Sequence, residues 1–163
     1  MKKLLLSALL VIFFYTASAQ SDTTAWFDFW IGEWALTWKD AKGNVVHGQN
    51  KISKVHDGRV ILEEFSAPSI SYTGSSYSVF NPQQKEWKQT WVDSQGGYIT
   101  LTGRKEGETR IFETTDPLIR GNDQLLFRMI FHSIAPESFV WEWQSTSDNK
   151  TWKTAWKIEY KKK

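Results

Sequence analysis

The sequence contains no cysteine among its 163 residues. A chain without cysteine forms no disulfide and offers neither a thiol nucleophile nor a thiolate ligand for a metal. The three histidines, His47, His56 and His132, are far apart and match no spacing typical of a metal site. Phosphate-binding glycine loops and the G-x-S-x-G nucleophile motif are missing as well. We therefore predict neither a metal nor a cofactor.

Only one long apolar run occurs, and it lies at the N-terminus. Lys2 and Lys3 precede the apolar segment LLLSALLVIFF, and the small residues ASA form a cleavage site before Gln20. This order is typical of a secretory signal peptide, and the run is too short to cross a bilayer comfortably. We predict a signal peptide over residues 1–19, cleavage after Ala19, and a periplasmic or secreted protein without a membrane span.

The predicted mature chain also lacks an excess of charge of either sign. The full sequence has 20 basic and 18 acidic residues, and two of the lysines lie in the predicted signal peptide. The remaining 18 basic residues (20 minus 2) balance the 18 acidic ones. This balance gives no electrostatic argument for a nucleic-acid partner. Residues 20–163 have the length of a single domain, and no linker divides them.

What the sequence does contain is a succession of short segments rich in β-branched and aromatic residues. Ten of them are predicted as strands: 32–39, 45–55, 59–67, 71–80, 85–93, 97–105, 108–115, 124–133, 138–146 and 151–160. Short polar stretches such as HDG and NPQQ separate them and are typical of turns. A long antiparallel meander removes its free edges by closing. We predict an all-β fold, a single antiparallel up-and-down β-barrel of about ten strands.

The segment FDFWIGEW changes its periodicity at Gly32. Before this glycine, Trp26 and Trp30 are four residues apart, as on one face of a helical turn. Beyond it, Trp34 and Trp38 lie on the face of a strand, because polar residues alternate with apolar ones. The segment therefore predicts a short N-terminal helical plug, a glycine break and a first strand whose indoles point inward.

Gly-Glu-Trp at positions 32–34 resembles the Gly-x-Trp signature of the lipocalins and the wider calycin superfamily. Together with YSVFNPQQKEWKQTWVDSQGGY and WEWQSTSDNKTWKTAWKIEY, FDFWIGEW also resembles bacterial exported proteins of unknown function. The resemblance implies a lipocalin-like barrel over residues 20–163 and carries no established activity. Lipocalins commonly pack a late arginine against that tryptophan. Because no arginine follows Arg128, the resemblance implies Lys153 or Lys157 in its place.

Strand alternation also predicts which polar side chains enter the barrel beside the aromatic ones. Glu63 and Glu64 are neighbours, so they point to opposite faces of their strand. We favour Glu64 as the inward one, because it follows Val60 and Leu62 at strand period. The tyrosines Tyr72, Tyr77 and Tyr98 are predicted as stacking walls. The predicted ligand-binding side chains are Glu64, Gln89, Trp91, Asp93, Tyr98, Arg128, Trp141 and Trp143.

Three functions stay open at this stage. The leading hypothesis is an exported protein that holds a small, mostly apolar or aromatic ligand in the barrel lumen. The alternative is an isomerase, cyclase or lyase in which Glu64, with Asp93 as a second candidate, acts as acid or base. The third is a ligand-free interaction module that works through its outer surface. The sequence does not define the oligomeric state.

Overall fold

A computed structural model describes residues 22–163, and the predicted signal peptide lies outside this range. Two 3₁₀ turns, Thr23–Ala25 and Asp28–Trp30, precede the first strand, and a third, Pro68–Ile70, follows β3. The strands are β1 Gly32–Lys39, β2 Val45–Val55, β3 Val60–Ala67, β4 Tyr72–Asn81, β5 Glu86–Asp93, β6 Tyr98–Glu106, β7 Thr109–Thr114, β8 Leu118–Arg120, β9 Asp123–Ala135, β10 Ser138–Thr146 and β11 Lys153–Lys162.

Ten of these strands form a closed antiparallel barrel. The strand order runs β10, β11, β1, β2, β3, β4, β5, β6, β7 and β9, and β9 pairs back with β10. This arrangement confirms the predicted all-β, up-and-down barrel. The short β8 pairs with β9 outside this circuit and was not predicted, because its segment DPLIRGND has the composition of a loop.

The strand boundaries follow the polar turns that separate them. Between β1 and β2, the Oδ1 atom of Asp40 accepts hydrogen bonds from the backbone N–H groups of Lys42 and Asn44, both at 2.8 Å. Gly43 adopts a φ of 86°, which glycine tolerates and other residues rarely do. Side-chain and backbone turn chemistry thus fixes where β1 ends and β2 begins.

The N-terminal turns fill one end of the barrel, which confirms the predicted plug. Phe27 and Trp30 are both fully buried, at 0% exposure. The Phe27 ring stacks on that of Phe112, with centroids 4.3 Å apart, and meets Trp87 edge-on at 5.1 Å. The Trp34 indole N–H donates to the Trp30 carbonyl at 2.9 Å, so the plug is joined directly to β1.

The tryptophan of the Gly-x-Trp segment packs against the last strand. Antiparallel pairing of β1 with β11 sets Trp34 opposite Lys162. The Lys162 Nζ atom lies 6.0 Å from the centroid of the Trp34 ring, a cation–π distance. The expectation that Lys153 or Lys157 would take this place is wrong, because the register brings Lys162 there instead. No helix in residues 22–163 is long and apolar enough to cross a membrane.

Candidate functional site

Away from the plug, the barrel holds a cavity of about 240 Å³. Apart from Tyr160, the aromatic side chains that line it are Phe65, Tyr72, Trp91, Trp141, Trp143 and Trp156. We call these six residues the aromatic wall. They come from strands β3, β4, β5, β10 and β11, so the closed sheet gathers rings that are distant in sequence. One end of the barrel therefore contains a cavity lined by aromatic rings, whereas the other end is filled by the N-terminal plug.

The rings of the aromatic wall meet at defined angles. Trp141 and Trp143 are two residues apart on β10 and therefore share a face; their rings are parallel to within 5°, with centroids 6.3 Å apart. Trp156 of β11 stands almost perpendicular to Trp141, at 87° and 5.6 Å. Tyr72 continues the wall at 6.3 Å from Trp156 and 6.5 Å from Trp91. The cavity is thus bounded by aromatic surfaces in several orientations.

One carboxyl group, that of Glu63, is buried in the wall of this cavity. Glu63 is 6% exposed; its Oε1 atom accepts a hydrogen bond from Asn50 Nδ2 at 2.7 Å, and its Oε2 atom accepts one from Ser76 Oγ at 2.6 Å. Both partners are neutral, and no cation within residues 22–163 forms an ion pair with it. Burial raises the pKa of Glu63 to about 7, although the two hydrogen bonds oppose that rise.

The Glu63 carboxyl belongs to a larger buried network of polar side chains. Asn50 Nδ2 also approaches the Tyr160 hydroxyl at 3.2 Å, and Gln89 Nε2 donates to Ser76 Oγ at the same distance. Burial, and secondarily the charge of Glu63, raises the pKa of Tyr160. The Asn50 Oδ1 and Gln89 Oε1 atoms are buried without a hydrogen-bond partner in the described part of the chain. Side chains from five strands therefore contribute to the network that contains the Glu63 carboxyl group.

A second carboxylate, that of Asp93, lies where β5 ends at the cavity. Its Oδ2 atom accepts from the Tyr72 hydroxyl and from the Trp91 indole N–H, both at 3.1 Å. Its Oδ1 atom accepts from the backbone N–H groups of Gln95 and Gly97, both at 2.9 Å. Desolvation favours the protonated form, but these hydrogen bonds prevail and lower the pKa of Asp93. Asp93 is therefore ionised at neutral pH and fixes two members of the aromatic wall.

The predicted inward position of Glu64 is wrong. Glu64 is exposed on the outer face, opposite Lys51 of β2, and the inward set of β3 is Ile61, Glu63 and Phe65. One member of the acidic pair does enter the barrel, as alternation requires. The strand begins with three apolar residues in succession, so its first residues contain no alternation. Phe65 carried the decisive signal, because a large ring two residues from Glu63 favours the inward face.

Three other side chains predicted to face the lumen also lie outside. Tyr98 is 67% exposed and Tyr77 is 52% exposed. Arg128 stands between two inward side chains of β9 and so faces outward; its Nε atom donates to Gln144 Oε1 at 2.8 Å. Its guanidinium carbon lies 4.0 Å from the centroid of the Trp152 ring. Arg128 is therefore not placed to anchor a ligand in the cavity.

Of the five remaining predicted residues, four line the cavity, and Gln89 does not. Trp91, Asp93, Trp141 and Trp143 line it, and their role in ligand binding stays a prediction. Gln89 is buried, at 2% exposure, and is bonded to serines of β4. The lining residues that the site prediction omitted are chiefly Glu63, Arg120, Trp156 and Tyr160. Alternation along β11 predicts Trp156 and Tyr160 on the inward face without assigning them to the site, whereas Arg120 comes from the unpredicted β8.

The groups that the cavity offers to a ligand are chiefly aromatic rings and carboxyl groups. In residues 22–163, no group of three or more histidine, aspartate or glutamate side chains is placed to hold a metal ion. Arg120 is the cationic residue in the lining, and its side chain is exposed. The cavity thus combines an aromatic wall, a buried acid of raised pKa and an ionised aspartate.

A closed ten-stranded antiparallel barrel with one plugged end fits a calycin-like barrel. The chain belongs to the family described as protein of unknown function (DUF1579), whose profile matches residues 20–162. That match includes the whole barrel, from the plug to the end of β11. No curated protein matches the chain.

The raised pKa of Glu63 has a measurable effect on stability. The pKa of Glu63 is about 7 in the folded protein, whereas its ordinary value is 4.5. At a pH between these two values, Glu63 is therefore protonated in the folded protein and ionised in the unfolded chain. The contribution of Glu63 to the free energy of unfolding therefore falls by roughly 3 kcal/mol as the pH rises from about 4.5 to 8. Urea denaturation at several pH values measures this loss. The variant Glu63→Gln should show a correspondingly flatter profile.

The matched control is Glu64→Gln, the same exchange one residue further along, on the outer face. Its profile should run parallel to that of the wild type, because Glu63 is still present. Equal pH dependence in the wild type and in Glu63→Gln would contradict the burial of this carboxyl group.

Proposed function

We propose that this protein binds a small, mostly apolar or aromatic molecule in the barrel cavity. The observation that carries the proposal is a hollow with an aromatic wall and one buried carboxyl group. Burying a carboxyl group costs free energy that an apolar side chain would not cost. A polar group kept among rings is the usual arrangement of a ligand site, where apolar surface supplies affinity and a few polar atoms supply orientation.

The size of the cavity limits the ligand. Its volume of about 240 Å³ lies below the range of roughly 300 to 1,000 Å³ typical of pockets for drug-sized molecules. We infer a ligand of one or two small rings, or a compact aliphatic group of similar volume. Rigid tryptophan side chains lose little conformational entropy when they contact such a molecule, so they contribute affinity at low cost.

Filling the cavity from its wall tests the proposal. Ile99 of β6 lines the cavity and is half-buried, so Ile99→Phe places a larger side chain in the ligand's space. A screen of small aromatic and aliphatic compounds, read by tryptophan fluorescence and melting temperature, identifies binders of the wild type. We expect Ile99→Phe to weaken their binding at least 10-fold.

The neighbouring variant Thr100→Phe is the control, because Thr100 is exposed on the opposite face of the same strand. It should bind as the wild type does. Absence of any binder in the screen, or equal loss of binding in both variants, would contradict a ligand site in the lumen.

The second candidate function is acid or base catalysis by Glu63, in place of the predicted Glu64. The specific observation in its favour is a carboxyl group in a cavity with a pKa raised to about 7, near the value that general acid–base catalysis needs at neutral pH. Compounds that bind are incubated with the protein and analysed by chromatography and mass spectrometry. Conversion that is lost in Glu63→Gln and kept in Glu64→Gln would support this function, and recovery of every compound unchanged would contradict it.

We also propose that the protein is exported, to the periplasm or beyond the cell. The proposal is supported by the positive residues, apolar run and small-residue cleavage site of residues 1–19. N-terminal sequencing of the protein recovered from an expressing bacterium should give a chain that begins at Gln20. A chain that retains residues 1–19 in the cytoplasm would contradict export.

A further inference from the structure

Resting on the proposed binding function, we propose that the ligand is a compact organic cation, such as a quaternary ammonium group. The cation would lie among the rings of the aromatic wall and close to the carboxyl groups of Glu63 and Asp93. Two independent features of the cavity support this ligand class: the orientation of the rings and the sign of the charges.

Trp141 and Trp143 are the one parallel pair in the aromatic wall, and five of its seven ring pairs are inclined by 58° to 87°, as in a box. Trp156 is perpendicular to Trp141, at 87°, and the Phe65 ring is inclined by 79° to Trp156 and by 72° to Trp91. A flat ligand stacks only on faces parallel to its own plane, whereas a roughly spherical group contacts several differently oriented faces at once. Indole faces attract cations through their quadrupole, and aromatic boxes are the usual receptors of methylated ammonium groups.

The charges in the lining point to the same ligand class. Glu63 and Asp93 each receive hydrogen bonds from neutral donors, and neither forms an ion pair with any residue from 22 to 163. The one cationic lining residue, Arg120, is exposed on β8, with its guanidinium carbon 5.8 Å from the centroid of the Phe127 ring. An anion in this cavity would meet two unpaired acids, whereas a cation would neutralise them.

Binding of a cation in the cavity should therefore be coupled to the protonation of Glu63. The groups facing Glu63 from the neighbouring strands are Asn50, Ser76 and Tyr160, and Tyr72 and Asp93 also act on the lining. The pKa of each tyrosine is raised and that of Asp93 is lowered, so among these groups Glu63 is the one that titrates between pH 5.5 and 8. A bound cation favours the ionised form of Glu63, so binding releases protons and weakens as the pH falls.

Calorimetry with choline and tetramethylammonium, at pH 5.5 and pH 8, tests the inference. We expect both to bind at pH 8 and to bind at least 10-fold more weakly at pH 5.5, because Glu63 is then protonated. The neutral isostere of choline, 3,3-dimethylbutan-1-ol, has the same shape without the charge. It should bind at least 10-fold more weakly than choline at pH 8, with no dependence on pH.

Two variants test whether Glu63 causes the pH dependence of choline binding. Glu63→Gln should remove the pH dependence of choline binding, and Glu64→Gln should keep it. If Glu63→Gln does not fold, the comparison of choline with its isostere in the wild type still decides. Equal affinity for the two, or no binding of either cation at pH 8, would overturn the inference.

The failure of this inference is distinguishable from that of the proposed function. Sodium benzoate, an anion of similar volume, is included as a probe. Binding of benzoate or of neutral aromatic compounds, without binding of the cations, would overturn the cation and leave a lumen binding site standing. Failure of every probe would contradict both.

Discussion

The burial of the Glu63 carboxyl on neutral hydrogen-bond donors is the constraint on which the cavity depends. Asn50 and Ser76 reach it from the strands on either side, and Tyr160 joins the network from β11. An arginine or lysine in their place would have produced a structural ion pair with a low pKa. Neutral donors satisfy the oxygens and leave the charge uncompensated. A titratable group in a ring-lined hollow is the result.

The two ends of the barrel use the same residue types for different purposes. At the plugged end, Phe27 and Trp30 complete a packed core against β1 and β7, and the rings there are fully buried. At the other end, Trp141 and Trp156 are only half-buried and border the cavity. Tight packing at one end stabilises the barrel, so the rings at the other end can remain partly exposed to the cavity. Asp93 also fixes Tyr72 and Trp91 at this end through hydrogen bonds.

Much of the fold was predictable because its signals are local. Polar turns such as that at Asp40 mark the strand ends, and the alternation of Trp34 and Trp38 gives the inward face of β1. The site was less predictable because its signals depend on pairing. The first residues of β3 are apolar without alternation, so they do not indicate which of Glu63 and Glu64 points inward. Lys162 reaches Trp34 through the register of β1 with β11, which no local pattern contains.

A titration of the Glu63 carboxyl group itself is the most direct test of these relationships. Carbon-13 NMR of protein labelled at glutamate side-chain carboxyls follows each group, and the signal that disappears in Glu63→Gln identifies this one. The buried position requires a midpoint near 7, well above the ordinary value of 4.5. In the protein without ligand, a midpoint near 4.5 would mean that water reaches the carboxyl group freely. The cavity would then not be the enclosed acidic hollow that the binding proposals require.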